Sequence, residues 1–260
     1  MTVNIVNFNF KVKPKKAFMI VNISDNIDDL VQKLSEKFYA LAKVNIGENK
    51  SFHVALPGGN TPVKFFNYLT EFYANKIDWN LVHFYWGDER CVPPYSSESN
   101  FRMAQLALID KINILPQNIH RIMGENNPEV EAERYAMEIR KFITADNSLP
   151  RFDLIILGMG EDGHTASLFP DQLSLLQSDK ICIVTRHPVS GQYRISLTLK
   201  AINQAQNVIF LVTGKNKAEK IKSIIKNSKE SINFPASYAK PASGNLFWFI
   251  DKEAATKLVN

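Results

Sequence analysis

The chain is poor in cysteine: Cys91 and Cys182 are its only two, and they stand far apart in sequence. Neither has the CxxC or CxxxC spacing of zinc ligands, so we expect two reduced thiols and no metal. The sequence also lacks an apolar run of membrane-spanning length, and its first residues lack the basic region, apolar segment and cleavage site of a signal peptide. These absences predict a cytoplasmic protein with no membrane partner.

Linkers and repeats are missing too. No Pro-, Ser- or Gly-rich linker and no self-similar period of about 20–50 residues is found. The hydrophobic fraction of 45% and the charged fraction of 22% leave little room for long disordered segments. We therefore expect one globular domain over residues 1–260, as a monomer or a small homo-oligomer.

The excess of positive charge is small. Lys and Arg number 31 against 26 Asp and Glu, a difference of five that favours an anionic ligand. Basic residues cluster at residues 11–16 and 215–229, and both clusters are interpreted as solvated faces. A small phosphorylated ligand fits this balance, and no nucleic-acid partner is predicted.

Strand and helix patterns alternate along the chain. Strands are predicted at residues 17–21, 52–56, 81–86, 119–123, 152–157, 181–185, 194–199, 207–212 and 246–250. Helices are predicted at residues 27–41 with Ser24 as the cap, and at residues 63–73, 99–110, 129–144 and 215–226.

The spacing of these elements indicates the fold. The strands at residues 181–185 and 194–199 are too close for a crossover helix, so they are expected to be antiparallel. The uneven units argue against an eight-fold barrel. The sequence predicts an α/β fold: an open, mostly parallel doubly wound sheet with helices on both faces and a short antiparallel strand pair. In such sheets the ligand binds at the carboxyl ends of the strands.

The first of these ends is the turn "LPGGNTP", with Gly58, Gly59, Asn60 and Thr61 ahead of a helix. Glycines let backbone N–H groups approach a ligand, and a helix N-terminus favours an anion, so this turn is a candidate phosphate cradle. It lacks the lysine and spacing of a P-loop. An ordinary turn before a helix has the same composition, so both interpretations remain open.

The second end is "WGDER", three charges directly after a strand. Asp88 and Arg90 could form a surface ion pair. Alternatively, Arg90 binds an anionic substrate and Asp88 orients it or accepts a proton. Without the other strand-end segments, the sequence favours neither interpretation.

The third end is "GMGEDGHTASLF", in which three glycines permit a sharp turn. His164 is expected just inside a helix that runs through "TASLF", where the helix N-terminus would favour the neutral imidazole of a general base. Asp162 is placed to fix its tautomer or to stabilise its charged form. Glu161 has no assigned role and is interpreted as a solvated neighbour.

Two further cations lie near later strands. Arg194 begins the strand "RISLTL", and Lys217 is expected in the first turn of a helix, where a cation opposes the helix dipole unless an anion lies nearby. The sequence has no G-x-S-x-G turn. The histidines His53, His83, His120 and His187 are isolated in sequence, and those in strands are interpreted as core or edge residues.

Six blocks together resemble the 6-phosphogluconolactonase family, a branch of the glucosamine-6-phosphate isomerase/deaminase superfamily. They are "LPGGNTP", "WGDERCVP", "ESNFRMA", "FDLIILGMGEDGHTASLFP", "RISLT" and "TGKNKA", and they span nearly the whole chain. The version "DGHTASLFP" is typical of the lactonases, since the deaminases share only "DGH". Pro57 is a departure, because many relatives have a serine there.

The resemblance implies hydrolysis of 6-phospho-D-glucono-1,5-lactone to 6-phosphogluconate, in the oxidative pentose phosphate pathway and without a metal or organic cofactor. It implies that His164 activates water, with Asp162 and Asp88 as further catalytic candidates. It also implies that the backbone at Gly58, Gly59, Asn60 and Thr61 binds the phosphate, together with Arg194 and Lys217. Arg90 and Asn100 would contact the bound sugar-phosphate lactone.

Two other functions remain open at this stage. A glucosamine-6-phosphate deaminase or isomerase would use Asp88 to remove a carbon-bound proton. A sugar-phosphate-binding protein without activity would keep the fold, but it would not need His164 and Asp162 together. The sequence "TASLFP" after "DGH" favours the lactonase.

Overall fold

The structure is a computed structural model that describes residues 18–48, 50–143, 145–146 and 149–258. Within these residues there are eleven strands: β1 (Phe18–Ser24), β2 (Phe52–Leu56), β3 (Val82–Trp86), β4 (Asp88–Arg90), β5 (Ala145–Asp146), β6 (Leu149–Pro150), β7 (Leu154–Leu157), β8 (Cys182–Arg186), β9 (Tyr193–Leu197), β10 (Asn207–Val212) and β11 (Asn245–Asp251). The helices are α1 (Ile27–Gly47), α2 (Thr61–Tyr73), α3 (Asn100–Ala107), α4 (Pro128–Phe142), α5 (Leu199–Gln204), α6 (Ala218–Ile225) and α7 (Lys252–Ala255). Short 3-10 helices cover Trp79–Leu81, Ile109–Lys111, Pro116–Asn118, Pro170–Gln177, Lys215–Lys217, Lys229–Asn233 and Pro235–Tyr238.

Six strands form a parallel sheet in the order β1-β11-β10-β7-β2-β3. From β2 the chain proceeds to β3 at one edge of the sheet. From β7 it proceeds through β10 to β11, toward the other edge. The direction therefore reverses between β2 and β7, and this crevice is where a doubly wound sheet binds its ligand.

Both faces of the sheet are covered. On one face Phe38 of α1 packs edge-on against Phe52 of β2 and Phe65 of α2. On the other face Tyr85 of β3 stacks on His120, and the His120 ring contacts Phe142 at the end of α4. Strand β10 is buried along its whole length, as expected for a central strand with helices on both sides.

A second sheet is antiparallel and has three strands in the order β4-β9-β8. The predicted antiparallel pair corresponds to β8 and β9, and the prediction is confirmed. The third strand, β4, comes after β3 with Gly87 alone between them, and it carries Asp88 and Arg90 away from the parallel sheet. This small sheet forms one wall of the crevice. The predicted open, mostly parallel fold is confirmed as well.

Several predicted boundaries are wrong. Residues 119–123 do not form a strand: Ile119 makes a single bridge to Phe84, and the Glu131 side chain then accepts the hydrogen bond from the Met123 N–H. Ser24 does not cap α1, because β1 continues through it, and Asn26 accepts from two N–H groups of the first turn instead. The basic run at residues 11–16 and the predicted helix end at residue 144 lie outside the described residues.

No helix in the described part of the chain is both long enough and apolar enough to cross a bilayer.

Candidate active site

The loops after β2, β3, β7 and β10 surround a pocket of about 260 Å³ at the carboxyl edge of the sheet. It lies at the crevice between β2 and β7, where the fold places a ligand. Its lining consists of residues 57–62 and 156–160 with Gly87, Asp88, Arg90, Asn100, His164, Ala166, Ser167, Phe169, His187, Arg194, Leu211 and Lys217. Every predicted site residue is in this lining except Asp162.

The turn after β2 has the geometry of a cradle. Gly58 lies so close to the Asn100 side chain that a Cβ there would collide with it, and Gly59 has a φ of +99°, which favours glycine. Helix α2 begins at Thr61 without a side-chain cap. Thr61 and Pro62 line the pocket, so the N-terminus of α2 lies at its edge, where the helix dipole favours an anion.

Arg90 and Arg194 bring two guanidinium groups to the same wall. They are directly paired across β4 and β9, and Arg194 is 9% exposed. Arg90 Nη1 donates to the carbonyl oxygen of Glu98 at 2.5 Å, whereas the Nε of each arginine is buried without a hydrogen-bond partner among the described residues. Burial, followed by the charge of Arg90, lowers the pKa of Arg194. Two adjacent cations with unused donors form a site for an anion.

Lys217 adds a third cation to the pocket. It lies at the end of the 3-10 helix Lys215–Lys217 and at the cap position of α6, so the expected continuous helix over residues 215–226 is wrong in its first turn. Burial lowers the pKa of Lys217, while the charges of Glu161 and Asp251 oppose that shift. A lysine that is partly desolvated in this way gains from a bound anion.

Asp88 and Asn100 connect the two sides of the pocket. Asp88 accepts a 2.6 Å hydrogen bond from Ser167 Oγ, and its carbonyl oxygen accepts from Asn100 Nδ2 at 2.9 Å. The surface ion pair considered between Asp88 and Arg90 is wrong: Asp88 is 9% exposed, and among the described contacts its carboxylate partner is Ser167. This carboxylate thus joins the β3–β4 turn to the segment that comes after His164.

Glu89, which has no distinguishing sequence signal, connects β4 to the start of α3. It is 2% exposed, and its carboxylate accepts from the N–H groups of Arg90, Asn100 and Phe101 and from Ser99 Oγ. Burial raises the pKa of Glu89, although these four donors oppose that shift. The carboxylate also lies at the N-terminus of α3, which favours negative charge. In the sequence, Glu89 is one of three charged residues in "WGDER", and nothing in the pattern distinguishes it from the other two.

His164 and Asp162 form a closely bonded pair. His164 Nδ1 is 2.6 Å from Asp162 Oδ1, and the same oxygen accepts from the His164 backbone N–H at 3.0 Å. Burial raises the pKa of Asp162, but the hydrogen bonds from His164 outweigh it and leave that pKa below its usual value. A proton on Nδ1 is stabilised by the carboxylate, so Nε2 keeps its lone pair and can accept a proton.

The expected helix at His164 is wrong. Thr165 Oγ1 donates to the Gly158 carbonyl oxygen, Ala166 has a φ of 48°, and Thr165 bridges to Leu168. These contacts give the segment a compact turn, so no helix dipole acts on His164, and Asp162 is what orients the ring. Residues 158–163 also have G-x-G-x-x-G spacing, but a dinucleotide site would need a helix at this turn.

The interpretation of Glu161 as only a solvated neighbour is wrong, because its side chain has a hydrogen-bond partner. Its Oε1 accepts a 2.5 Å hydrogen bond from Asn216 Nδ2, next to Lys217. The turn that carries His164 is therefore tied to the loop that carries the third cation.

The histidines described as isolated are not isolated in space. His83 Nδ1 lies 3.0 Å from His120 Nε2, and His53 packs against His83 with ring centroids 4.7 Å apart. The interpretation of His53 and His83 as core or edge residues is correct. His187, in contrast, lines the pocket. No group of three or more His, Cys, Asp or Glu side chains in the described ranges is arranged to hold a metal ion.

The fold and the pocket define an α/β protein whose site combines three cationic side chains with the histidine of an aspartate–histidine pair. The chain belongs to the family described as "Glucosamine-6-phosphate isomerases/6-phosphogluconolactonase", which matches residues 25–248.

Three similar proteins extend this result. A 6-phosphogluconolactonase of Haemophilus influenzae is 42% identical over 229 residues, covering 88% of this chain and 95% of that protein. The crystal structure of a protein titled devB has 40% identity and a TM-score of 0.87, with 93% of this chain and 100% of that one covered. The 6-phosphogluconolactonase structure from Thermotoga maritima has 31% identity and a TM-score of 0.79, covering 90% of this chain and 100% of the other.

Proposed function

We propose that this chain hydrolyses 6-phospho-D-glucono-1,5-lactone to 6-phosphogluconate, a step of the oxidative pentose phosphate pathway. The observation that carries the proposal is the Asp162–His164 pair, whose histidine lines one pocket together with Arg90, Arg194 and Lys217. A base beside a cluster of cations suits a substrate with a phosphate at one end and a carbonyl at the other. The relatives named 6-phosphogluconolactonase support the same substrate.

The phosphate binds where the cations and the cradle meet. In this proposal Gly58, Gly59, Asn60 and Thr61 offer backbone N–H groups, while Arg194 and Lys217 supply charge. Pro57 has no N–H group to offer, but Gly58, Gly59, Asn60 and Thr61 all remain in the pocket lining. Arg90 and Asn100 contact the remainder of the ligand.

His164 carries out both proton transfers. Its Nε2 takes a proton from water as the oxygen attacks the lactone carbonyl carbon, which forms a tetrahedral intermediate. The C1–ring oxygen bond then breaks, and the imidazolium returns the proton to that oxygen, which leaves as an alcohol. Asp162 stabilises the charged ring between the two steps. Asp88 is the third proposed catalytic residue. Through its hydrogen bond with Ser167 it holds the segment that comes after His164.

The experiment is a lactonase assay with freshly generated substrate, corrected for spontaneous hydrolysis. We expect the wild type to exceed the spontaneous rate, and His164→Ala to lose about 100-fold or more of kcat while it still binds 6-phosphogluconate. A folded His164→Ala variant with wild-type turnover would contradict the role of His164. Wild-type protein without turnover would instead favour a binding protein.

A deaminase or isomerase acting on glucosamine 6-phosphate is the alternative enzyme. It uses the same anion site but needs Asp88 to remove a carbon-bound proton. Activity on glucosamine 6-phosphate with none on the lactone would decide for this alternative.

We further propose that the enzyme works in the cytoplasm as one domain, without a cofactor or nucleic acid, as a monomer or small homo-oligomer. Its two free cysteines suit a reducing compartment. Light scattering on the purified protein measures its assembly, and activity after dialysis against a chelator tests the cofactor.

A further inference from the structure

His187 lines the pocket, although it is isolated in the sequence and no binding role follows from its sequence position. It stands at the start of the loop between β8 and β9, and its ring packs edge-on against Phe169 with centroids 5.3 Å apart. Phe169 in turn packs against His164 at 5.0 Å. Both imidazoles therefore contact the same aromatic ring, and His187 lines the pocket beside the catalytic pair.

The loop fixes which nitrogen of His187 carries the proton. The backbone N–H groups of Val189 and Ser190 both donate toward His187 Nδ1, at 3.3 and 3.1 Å. A nitrogen that accepts two N–H groups has no hydrogen of its own, so in the neutral ring the proton is on Nε2. Two backbone hydrogen bonds between His187 and the residues Gly191 and Gln192 close the loop around the ring.

The surroundings keep this ring neutral. Burial lowers the pKa of His187, and the nearby charge of Arg194 lowers it further. The ring thus presents one hydrogen-bond donor, Nε2–H, without a positive charge. The charged donors of the pocket suit the phosphate, whereas a single neutral donor suits an uncharged oxygen such as a hydroxyl.

We propose that His187 is a substrate-binding residue that donates a hydrogen bond from Nε2 to a ring hydroxyl of the sugar lactone. The proposal rests on the proposed function. It makes the loop between β8 and β9 a determinant of sugar specificity. It also gives a reason for the loop to hold the ring through Nδ1.

Two variants separate binding from a structural role. In His187→Asn the side-chain oxygen can replace Nδ1 as the acceptor for Val189 and Ser190, but nothing reaches the position of Nε2. In His187→Gln the amide N–H₂ reaches toward that position, but the acceptor is lost. If His187 binds substrate, His187→Asn should raise KM by roughly 3- to 10-fold, the effect of one neutral hydrogen bond, and His187→Gln should recover part of it.

Monodeoxy lactones that lack the 2-, 3- or 4-hydroxyl identify the contact. The KM penalty of His187→Asn should disappear with the one analogue that lacks the bonded hydroxyl and should remain with the other two. If the penalty is the same for all three analogues, or if His187→Asn equals the wild type, the proposal is overturned. If His187→Gln is the more damaged variant, the role is structural and the proposal is equally overturned.

Equilibrium binding of 6-phosphogluconate, measured by calorimetry, separates this proposal from the proposed function. Should the wild type lack lactonase activity but bind 6-phosphogluconate, a weaker affinity of His187→Asn still supports the His187 contact. An unchanged affinity in that variant, beside normal wild-type turnover, refutes the contact and leaves the lactonase function intact.

Discussion

Arg90 and Arg194 lie directly opposite each other on the antiparallel strands β4 and β9. Like charges in this position destabilise a sheet, and the Nε atoms of both side chains are buried without a partner in the described part of the molecule. The arrangement becomes favourable once an anion binds between the guanidinium groups. The repulsion between the two arginines therefore destabilises the free protein, and a bound anion would offset it.

This repulsion predicts how Arg194→Gln should behave. Removing the Arg194 charge relieves the repulsion in the free protein, so the melting temperature without ligand should not fall. The increase in melting temperature caused by 6-phosphogluconate should become smaller. KM for the lactone should rise about 10- to 100-fold, because hydrogen bonds to charged groups contribute about 1.5–3 kcal/mol. Thermal melts and steady-state kinetics measure these effects.

Arg121→Gln is the matched control, since Arg121 pairs with Glu125 away from the pocket. It should leave both the ligand-induced shift and KM unchanged. An Arg194→Gln variant with a wild-type shift would place the phosphate elsewhere.

Two glycines of the His164 turn allow a paired steric test. A Cβ on Gly160 would overlap the His164 ring, whereas a Cβ on Gly158 would have no atom within 4 Å. Gly160→Ala should displace the imidazole and lower kcat by about 100-fold, as expected for a misplaced catalytic group. Gly158→Ala should keep its activity. Equal kcat values for both variants would mean that the ring position is not critical.

Asp162→Asn tests the charge of the partner carboxylate. The oxygen that receives His164 Nδ1 also accepts the backbone N–H, so an amide oxygen can keep both hydrogen bonds and lose only the charge. We expect kcat to fall about 10-fold, since charge-assisted hydrogen bonds are roughly twice as strong as neutral ones. Asp162→Ala should fall further because it loses the bonds too. Asp110 is exposed, so Asp110→Asn serves as the control and should keep full kcat. An Asp162→Asn variant with full kcat would show that the carboxylate charge does not stabilise protonated His164.

Much of the sheet, and the cations and glycine turn of the pocket, could be predicted from the sequence, because they depend on local patterns. Strand β2 and the turn at Gly58 are consecutive in the chain, and so are β7 and the glycines after it. In a parallel sheet the carboxyl ends of such strands meet at one edge. The short segments that follow predicted strands therefore place His164, Arg90 and Lys217 near that edge.

The errors arise where distant contacts override local patterns. The segment after His164 has a helical composition, but the Ser167 backbone N–H donates to Ser196 Oγ, and Ser167 Oγ donates to Asp88. The pairing of Arg90 with Arg194 depends on the register of strands about a hundred residues apart. His187 acquires its role from Phe169 and from its own loop geometry, neither of which has a sequence signal.

The hydrogen bond between Glu161 and Asn216 predicts coupling between the catalytic turn and the Lys217 loop. Glu161→Gln keeps an acceptor for Asn216, whereas Glu161→Ala removes it. We expect Glu161→Ala to raise KM by a few-fold and Glu161→Gln to raise it less, because the bond is exposed and weak. The effect should vanish in the Asn216→Ala background. Additive effects of Glu161→Ala and Asn216→Ala on KM would show that the two side chains act independently.

The cluster around His53 predicts a loss of stability in acid. Burial lowers the pKa of His53 to about 3, below the value of about 6.5 in an unfolded chain. As pH falls below about 6.5 the unfolded state therefore binds the proton first, and stability is lost until the pH reaches the folded pKa. At pH 5 this amounts to at most about 2 kcal/mol for His53.

Asp153 has the opposite effect, because burial raises its pKa to about 6, so stability from this group is gained as pH falls through 6. Urea unfolding at pH 7 and pH 5 measures the net change in the free energy of unfolding of the whole protein. His53→Asn isolates the contribution of the histidine. The smaller side chain lowers stability at both pH values, but the stability lost between pH 7 and pH 5 should be smaller than in the wild type. An identical loss in both proteins would show that His53 remains uncharged in the unfolded chain or is charged in the folded one.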